Sequence, residues 1–345
     1  FIRSQNDNNN QLIFDNTTYI DEEIHSNMNN SCVIANDILL NITGASIGRS
    51  CVVPKDFKEG NVNQHVCIIR LKDDYEPTFL QPFLASHNGK KLVFQGQTGS
   101  GREGINFQSI GAFKLNIPSK QEQEKIASFL NQVDTKIEQL TKKETLLKEY
   151  KKGVMQKIFN QEIRFKADDG SEFCGWQDKK LSSLCSIKKG SQLNKDTLTE
   201  VGDYPAINGG INPSGYTTNY NTEAHTITIS EGGNSCGYVN FITTNFWSGG
   251  HNYSLQELKK NIENLYLFQY LKHNEHLIMR LRVGSGLPNI QKGDINNFKV
   301  LVPCLEEQNK IANFLSSIDT KVEQTQKQLE LGKEFKKALL QQMFV

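Results

Sequence analysis

The sequence predicts an α+β protein: two globular α/β-type modules joined by two long helices that form an antiparallel coiled coil, arranged as a pseudo-two-fold repeat. Three observations predict it. Residues 118–159 recur as residues 303–344 at a constant offset of 185, with 21 of 42 positions identical. A period that long marks duplication of a whole module, not a solenoid. Each copy then carries apolar residues spaced alternately by four and three, a narrow helical seam of the coiled-coil kind. Finally, each copy follows a stretch of short β-like runs separated by turns, and the ends of these stretches also match: residues 98–118 (TGSGREGINFQSIGAFKLNIP) against 283–303 (VGSGLPNIQKGDINNFKVLVP).

Four segments follow: a first globular module over residues 1–117, a helical region over 118–160, a second module over 161–302 and a second helical region over 303–345. The first seam is Ile126, Leu130, Val133, Ile137, Leu140, Leu147, Val154 and Ile158, broken at Glu144 and Lys151. The second is Ile311, Leu315, Ile318, Val322, Leu329, Leu339 and Met343, broken at Thr325, Gly332 and Lys336. A stripe this narrow and long suits another such helix better than a broad globular face. Pro118 and Pro303 end what precedes each helix, and Ser119 with Glu122 has the spacing of a capping box. From Ile126 to Ile158 such a helix rises about 48 Å at ~1.5 Å per residue.

Within the first module, residues 32–42 and 67–71 read as strands, 78–84 as helical, 91–97 as a strand or helix end, and 110–117 as a strand. In the second, residues 226–230 (TITIS) read as a strand and 261–281 as one amphipathic helix. The glycines of TGASIGR match those of EGGNSCG, Gly44 with Gly233 and Gly48 with Gly237. The second module opens near Trp176, well before its YPAINGG stretch, whereas the first opens near the latter point; by that comparison the first module is expected to be N-terminally incomplete.

The chain is 37% hydrophobic, sufficient for two cores, and no run of 18 apolar residues marks a membrane span. Seven cysteines without a C-x-x-C pair read as reduced cytoplasmic thiols, neither a disulfide frame nor a zinc site. The net charge is +1, and no segment is basic in bulk: residues 1–118 hold 10 basic and 12 acidic side chains, and 160–303 hold 14 of each. A nucleic-acid binder of this composition relies on local patches or on a partner.

No catalytic constellation emerges. Residues 99–104 form a G-x-G-x-x-G, but no strand-loop-helix frame surrounds it and the second copy carries Pro288 and Asn289 in place of Glu103 and Gly104. Asn212-Pro-Ser-Gly215 lacks the second proline and the aromatic that an amine-methylating motif needs, and reads as a turn. H-E-x-x-H, P-loop and G-x-S-x-G patterns are absent, and the histidines are scattered. What recurs is polar loops rich in Asn and Gln. These side chains pair bidentately with adenine, and Arg pairs with guanine.

The pattern P-x-x-x-E-Q-x-K-I-A-x-F-L-x-x-x-D-T-K is carried by Pro118, Glu122, Gln123, Lys125, Ile126, Ala127, Phe129, Leu130, Asp134, Thr135 and Lys136. It is carried again by Pro303, Glu307, Gln308, Lys310, Ile311, Ala312, Phe314, Leu315, Asp319, Thr320 and Lys321. With TGASIGR, the GSG loops and the W-x-x-x-x-L from Trp176 to Leu181, it resembles the specificity subunit of type I restriction–modification enzymes. The resemblance implies that the modules are target recognition domains, each reading half of a bipartite double-stranded DNA site, and that the helices set the gap. It also implies a subunit that is not itself an enzyme and that docks two modification (methyltransferase) subunits, with restriction subunits in the full complex. S-adenosylmethionine, ATP and Mg belong on those partners, and no cofactor on this chain.

Under that reading the expected DNA-contacting residues of the first module are Arg3, Gln5, Asn6, Arg49, Asn63, Gln64, His65, Ser100 and Arg102. Those of the second are Asn208, Asn212, Tyr216, Asn234, His251, Asn252, Arg282 and Ser285. Ile126, Leu130, Val133, Ile137, Leu140, Ile311, Leu315, Ile318 and Val322 are the expected helix-packing residues, and Lys142, Lys143, Lys148, Lys151 and Lys152 a candidate partner face. A coiled-coil adaptor whose modules bind proteins is the alternative; it predicts exposed apolar patches where a DNA reader shows polar ones.

Overall fold

A computed structural model describes residues 1–8, 10–15, 17–97, 104–284 and 286–344. The chain divides into two compact units, one of Phe1–Lys143 with Thr325–Val345 and one of Glu144–Gln324. Both long helices, Lys120–Phe159 and Leu305–Met343, run through the point of division.

The first unit is built on a three-stranded antiparallel sheet in the order Ser50–Val52, Ile38–Asn41, Val66–Ile69. The central strand is buried along its whole length, so it reads as a continuous apolar run instead of an alternation. Alternation persists in where its residues go. Leu39 packs with Val33, Cys51 and Val66 in one cluster. Leu40 packs with Ile42, Cys67, Val93 and Ile105 in another, and Ile38 with Leu80 and Leu84. The helices Pro77–Ala85 and His87–Gln95 supply Leu80, Leu84 and Val93 on the second face.

Three expected elements differ. Residues 32–42 are not one strand: Cys32–Val33 and Ile38–Asn41 are separated by a turn in which Asn36 has φ 68°. The turn is closed by Asp37, which accepts the Ile34 N–H at 2.8 Å and two Arg70 N–H groups at 2.7 and 2.8 Å. Residues 110–117 are not a strand: the helix Phe107–Gly111, capped by Asn106, is followed by chain with no ladder partner among the described residues. Residues 261–281 hold two helices, Asn264–His273 and Glu275–Met279. Asn274 separates them by turning its amide onto the Tyr270 carbonyl at 2.9 Å, the local competition with the helix ladder that Asn favours.

The second unit centres on a four-stranded antiparallel sheet in the order Val239–Ile242, Thr226–Ser230, Asn252–Gln256, Ser186–Lys189. A small sheet of Tyr216–Thr217, Tyr204–Ile207 and Trp247–Ser248 and a ribbon of Gln177–Lys180 with Lys299–Val302 flank it. Its core joins Ile227, Ile229, Tyr266, Leu267, Leu271, Ile311 and Leu315.

In each unit the two long helices pack antiparallel. Ala127 and Leu130 meet Leu339, Leu340 and Met343 in the first unit. Met155 and Ile158 meet Ile311, Ala312 and Leu315 in the second. All nine expected packing residues are buried or half-buried. The breaks in the seams have a cause the pattern conceals. Lys151 reaches Asp319 at 2.6 and 2.8 Å, and Lys336 bonds Asp134. Asp134 and Asp319 are repeat equivalents, as are Lys151 and Lys336, so one ion pair occurs twice with its partners exchanged between helices.

The glutamine of the repeated motif is likewise structural. Gln123 is buried, accepts the Glu76 N–H at 2.9 Å and donates to the Pro118 carbonyl at 3.0 Å. Gln308 is buried too, accepting the Glu263 N–H at 2.9 Å and donating to the Pro303 carbonyl at 2.9 Å. Glu76 and Glu263 are the N-caps of the module helices Pro77–Ala85 and Asn264–His273. Each glutamine therefore satisfies orphan groups at a helix start and pins the long helix to its own module.

Candidate nucleic-acid interface

In the first unit, polar residues converge where the central strand ends. The opening segment lies beside residues 61–63: the Ile2 N–H donates to the Asn61 carbonyl at 2.7 Å, and the Asn63 N–H to the Ile2 carbonyl at 3.1 Å. Asn41 closes the edge, its amide donating to the Ser4 carbonyl at 2.9 Å and its N–H to the Arg49 carbonyl at 2.8 Å. The Ile42 N–H donates to the His65 carbonyl at 3.0 Å, and Thr43 Oγ1 stands 2.8 Å from His65 Nδ1. Arg3, Asn41, Thr43, Arg49, Asn63 and His65 thus share one edge. Gln5, Arg49, Gln64 and His65 are exposed there, and Arg3 and Asn63 half-buried.

The second unit builds the same edge from other residues. The Gly249 N–H donates to the Ile207 carbonyl at 2.8 Å, and the His251 N–H to Asn208 Oδ1 at 3.2 Å. Ser230, repeat equivalent of Asn41 in the glycine-matched loops, donates its hydroxyl to the Gly209 carbonyl, as does Ser235. The Glu231 N–H donates to the His251 carbonyl at 2.9 Å, as Ile42 does to His65. Asn234 and His251 are exposed. Bridges from Asn289 to Gly232 and to Val283 bring exposed Arg282 to the neighbouring turn.

Beneath each edge lies a carboxylate. Asp7 is 3% exposed and meets no N–H or O–H donor among the described residues. Burial raises its pKa to about 7, against the lowering pull of the Arg49 charge and the Cys51 thiol. Glu231 accepts Lys189 Nζ at 2.6 Å and the Tyr253 hydroxyl at 3.0 Å, and its other oxygen is 3.7 Å from His251 Nδ1. Burial, then the Glu231 carboxylate, hold the Tyr253 phenol above its usual range.

The expected residues divide by these contacts. Asn6 and Asn252 are buried, 2% and 1% exposed. Asn6 serves the Arg3 N–H and the Ile13 carbonyl, and Asn252 serves Ser248, so their amides work within the fold. Tyr216 is half-buried in the small sheet opposite Pro205, and Asn212 is exposed on the turn before it. Ser100, Arg102 and Ser285 lie outside the described residues. The pattern reading missed Asn41, Thr43, Lys189, Ser235 and Glu231. Asn41 and Thr43 flank the start of the TGASIGR loop, and Glu231 and Ser235 lie in its EGGNSCG counterpart, so the loop match was their one available signal.

Gly209 has φ 82°, and a Cβ on it would stand 2.5 Å from the His251 carbonyl oxygen. Gly44 has φ 69° with open space where its Cβ would go. Gly44→Ala is therefore expected to cost only the left-handed strain, about 1 kcal/mol. Gly209→Ala adds a backbone collision and is expected to cost about 3 kcal/mol. Urea unfolding of both variants checks this, and equal losses would contradict the close approach.

A family model described as the type I restriction modification DNA specificity domain matches residues 1–149 and 174–331. A Mycoplasma pneumoniae protein named as a type I specificity subunit is 33% identical over 171 residues, 49% of this chain and 45% of that protein. A Methanocaldococcus jannaschii protein named as the MjaX restriction enzyme specificity subunit is 26% identical over 290 residues, 78% of this chain and 67% of that protein. The aligned part thus spans less than half the length of the Mycoplasma pneumoniae relative. The crystal structure of the type I restriction–modification S subunit from M. genitalium has the same fold, with TM-score 0.68 at 21% identity, over 91% of this chain and 84% of that one. No helix among the described residues is long and apolar enough to cross a membrane.

Proposed function

This chain belongs to the type I restriction modification DNA specificity family, and from that premise we propose that it is the sequence-reading subunit of such an enzyme, binding a bipartite double-stranded DNA target. The observation that carries the proposal is the duplicated polar edge, with His65 and His251 exposed at the same node of two modules that share few loop residues. Equivalent frames holding different side chains suit two readers of two different half-sites. Gln5, Arg49, Gln64 and His65 read one half, and Asn208, Asn234, His251 and Arg282 the other, through the donor and acceptor pattern of the major groove. Phosphate neutralisation, which the near-neutral charge leaves short, falls mainly to partners.

Specificity subunits of type I systems are non-catalytic. The chemistry then belongs to partners: adenine methylation to two modification subunits using S-adenosylmethionine, and cleavage to restriction subunits using ATP and Mg. Exposed Lys142, Lys143 and Lys152, which point to different sides of the helix, offer those subunits separate cationic contacts. Lys148 and Lys151 contribute less, being paired with Glu144 and Asp319.

Sequencing-based mapping of methylated adenines tests the reading, in cells holding this chain with its modification subunit and in cells lacking it. A bipartite motif with a fixed gap is expected, lost on deletion of the chain. Inserting seven residues, about two turns, after both Lys143 and Gln324 is expected to change the gap and preserve both half-sites. Methylation indifferent to the deletion would reject the role, and half-sites altered by the insertion would reject the helices as the ruler.

A further inference from the structure

The two polar edges differ at the node they share. In each, a histidine carbonyl accepts an N–H from the end of the central strand, His65 from Ile42 and His251 from Glu231. Beside His65 stands a neutral hydroxyl, Thr43 Oγ1, 2.8 Å from its Nδ1. Beside His251 stands a carboxylate, Glu231 Oε2, 3.7 Å from its Nδ1. In the glycine-matched loops the position of Glu231 is Ile42 in the first copy, which has no carboxylate to offer there.

Glu231 has an oxygen to spare. Its side chain is 10% exposed, and Oε2 is buried with no hydrogen-bond partner among the described residues. Oε1 accepts Lys189 Nζ, and the Tyr253 hydroxyl divides its one proton between Oε1 at 3.0 Å and the Ile290 carbonyl at 3.1 Å. A buried carboxylate oxygen left unpaired costs free energy that a donor recovers. The His251 ring is placed to supply that donor. Its side chain is 63% exposed, so it is free to turn through the remaining distance, and an Nδ1–H on Glu231 directs Nε2 to the opposite side of the ring. The other charged or titratable groups against this pair are Lys189 from the strand Ser186–Lys189, Tyr253 from the strand Asn252–Gln256, and Cys236 of the loop, on which the Arg282 charge acts. Burial holds the Tyr253 phenol and the Cys236 thiol above their usual ranges. Among these residue types histidine is the one that ordinarily changes charge between about pH 5 and 8.

We propose that His251 reads its half-site as an imidazolium, with Nδ1–H on Glu231 Oε2 and Nε2–H donated to N7 of a guanine, so that this contact takes up one proton and Glu231 is its positioning residue. The inference rests on the DNA-reading function proposed above. A neutral imidazole with its one proton on Glu231 would present a lone pair instead, and would select the amino groups of adenine or cytosine. The adjacent carboxylate and the charge of the DNA both favour the cation, and with it the acceptor on guanine. His65, against Thr43, has a hydroxyl in place of that carboxylate.

The test uses the whole chain with its modification subunit and duplexes carrying the bipartite site that the methylation map defines. Dissociation constants are measured at about pH 6 and about pH 8.5 at one salt concentration. Each variant is compared with the parent at the same pH, which cancels the titration of Asp7 and of the partner. Glu231→Gln is expected to bind at least about tenfold more weakly at the lower pH and within about threefold at the higher, since one linked proton changes affinity by up to about tenfold per pH unit. His251→Ala is expected to lose more at the lower pH than at the higher; it alters an exposed side chain, so the test survives should Glu231→Gln fail to fold. Replacing one guanine of the site by 7-deazaguanine, which lacks the N7 acceptor, is expected to bring parent and Glu231→Gln to the same affinity at both pH values. Losses independent of pH in both variants would overturn the proposal. So would a pH-dependent loss that no 7-deazaguanine removes, the mark of a phosphate contact. Duplexes without the site bound as tightly as those with it would overturn the DNA-reading function itself.

Discussion

Arg164→Ala is expected to destabilise the second unit by about 3–5 kcal/mol, the usual result of stripping one partner from a buried ion pair. Glu307 is 0% exposed and sits at the first turn of the second long helix. Arg164 donates to both its oxygens, at 3.1 and 2.7 Å, and also to the Cys174 carbonyl at 2.8 Å. Without the guanidinium, the carboxylate keeps the Trp176 indole as a donor and little else to offset its desolvation. Adding Glu307→Gln is expected to recover much of the loss, because a neutral amide tolerates the site. Both tryptophans, Trp176 and Trp247, belong to the second unit, so their fluorescence follows its unfolding selectively. At ~2–4 °C per kcal/mol for a unit of this size, the single variant should melt roughly 10 °C lower. A loss below about 1 kcal/mol, or a double variant no better than the single, would show that Glu307 does not depend on Arg164.

Asp7 is expected to make the first unit less stable at pH 8 than at pH 5. Its folded pKa of about 7 lies above the ordinary 3.8. The folded state therefore holds a proton that the unfolded chain releases earlier. The stabilisation is complete below about pH 4 and is lost as pH rises through 7. Three units of separation bound the effect at about 4 kcal/mol, with roughly 2–3 kcal/mol of it between pH 5 and 8. Arg49, whose charge opposes the shift, is itself a proposed DNA contact, so the same proton would alter the charge of that edge. Asp7→Asn should flatten the profile and be the more stable protein at pH 8. Thermal melts by circular dichroism across this range decide it; parallel profiles for the two proteins would mean that Asp7 titrates as an ordinary carboxyl.

Much of this architecture is legible in the sequence because it rests on local rules or on duplication. The period of Ile126, Leu130, Val133 and Ile137 makes a helix wherever it occurs. TITIS at residues 226–230 makes a strand because β-branched residues crowd a helix and suit a pleat. Where local signals were mixed, the pattern reading failed. Asn36 and Asn274 interrupt runs that look continuous: Asn36 adopts the left-handed φ that Asn tolerates, and Asn274 exchanges a ladder bond for a side-chain bond, both at little cost in apolar periodicity. Loop residues divided by burial, which composition does not reveal: Asn6 and Gln5 are adjacent and equally polar, yet one is 2% exposed and the other open to solvent.

By itself, then, the sequence determined the duplication, the two helices with their apolar seams, and the resemblance to a DNA specificity subunit, all of which rest on residues near one another in the chain or repeated at one offset. Only the tertiary structure decided the rest. It turned the seam breaks Lys151 and Lys336 into ion pairs with Asp319 and Asp134. It made the motif glutamines clamps on the module helices, and brought His65 to Thr43 and His251 to Asn208. Each of these joins groups far apart in sequence. Their energies depend on distance and on exclusion of water, and neither exists until the chain has folded.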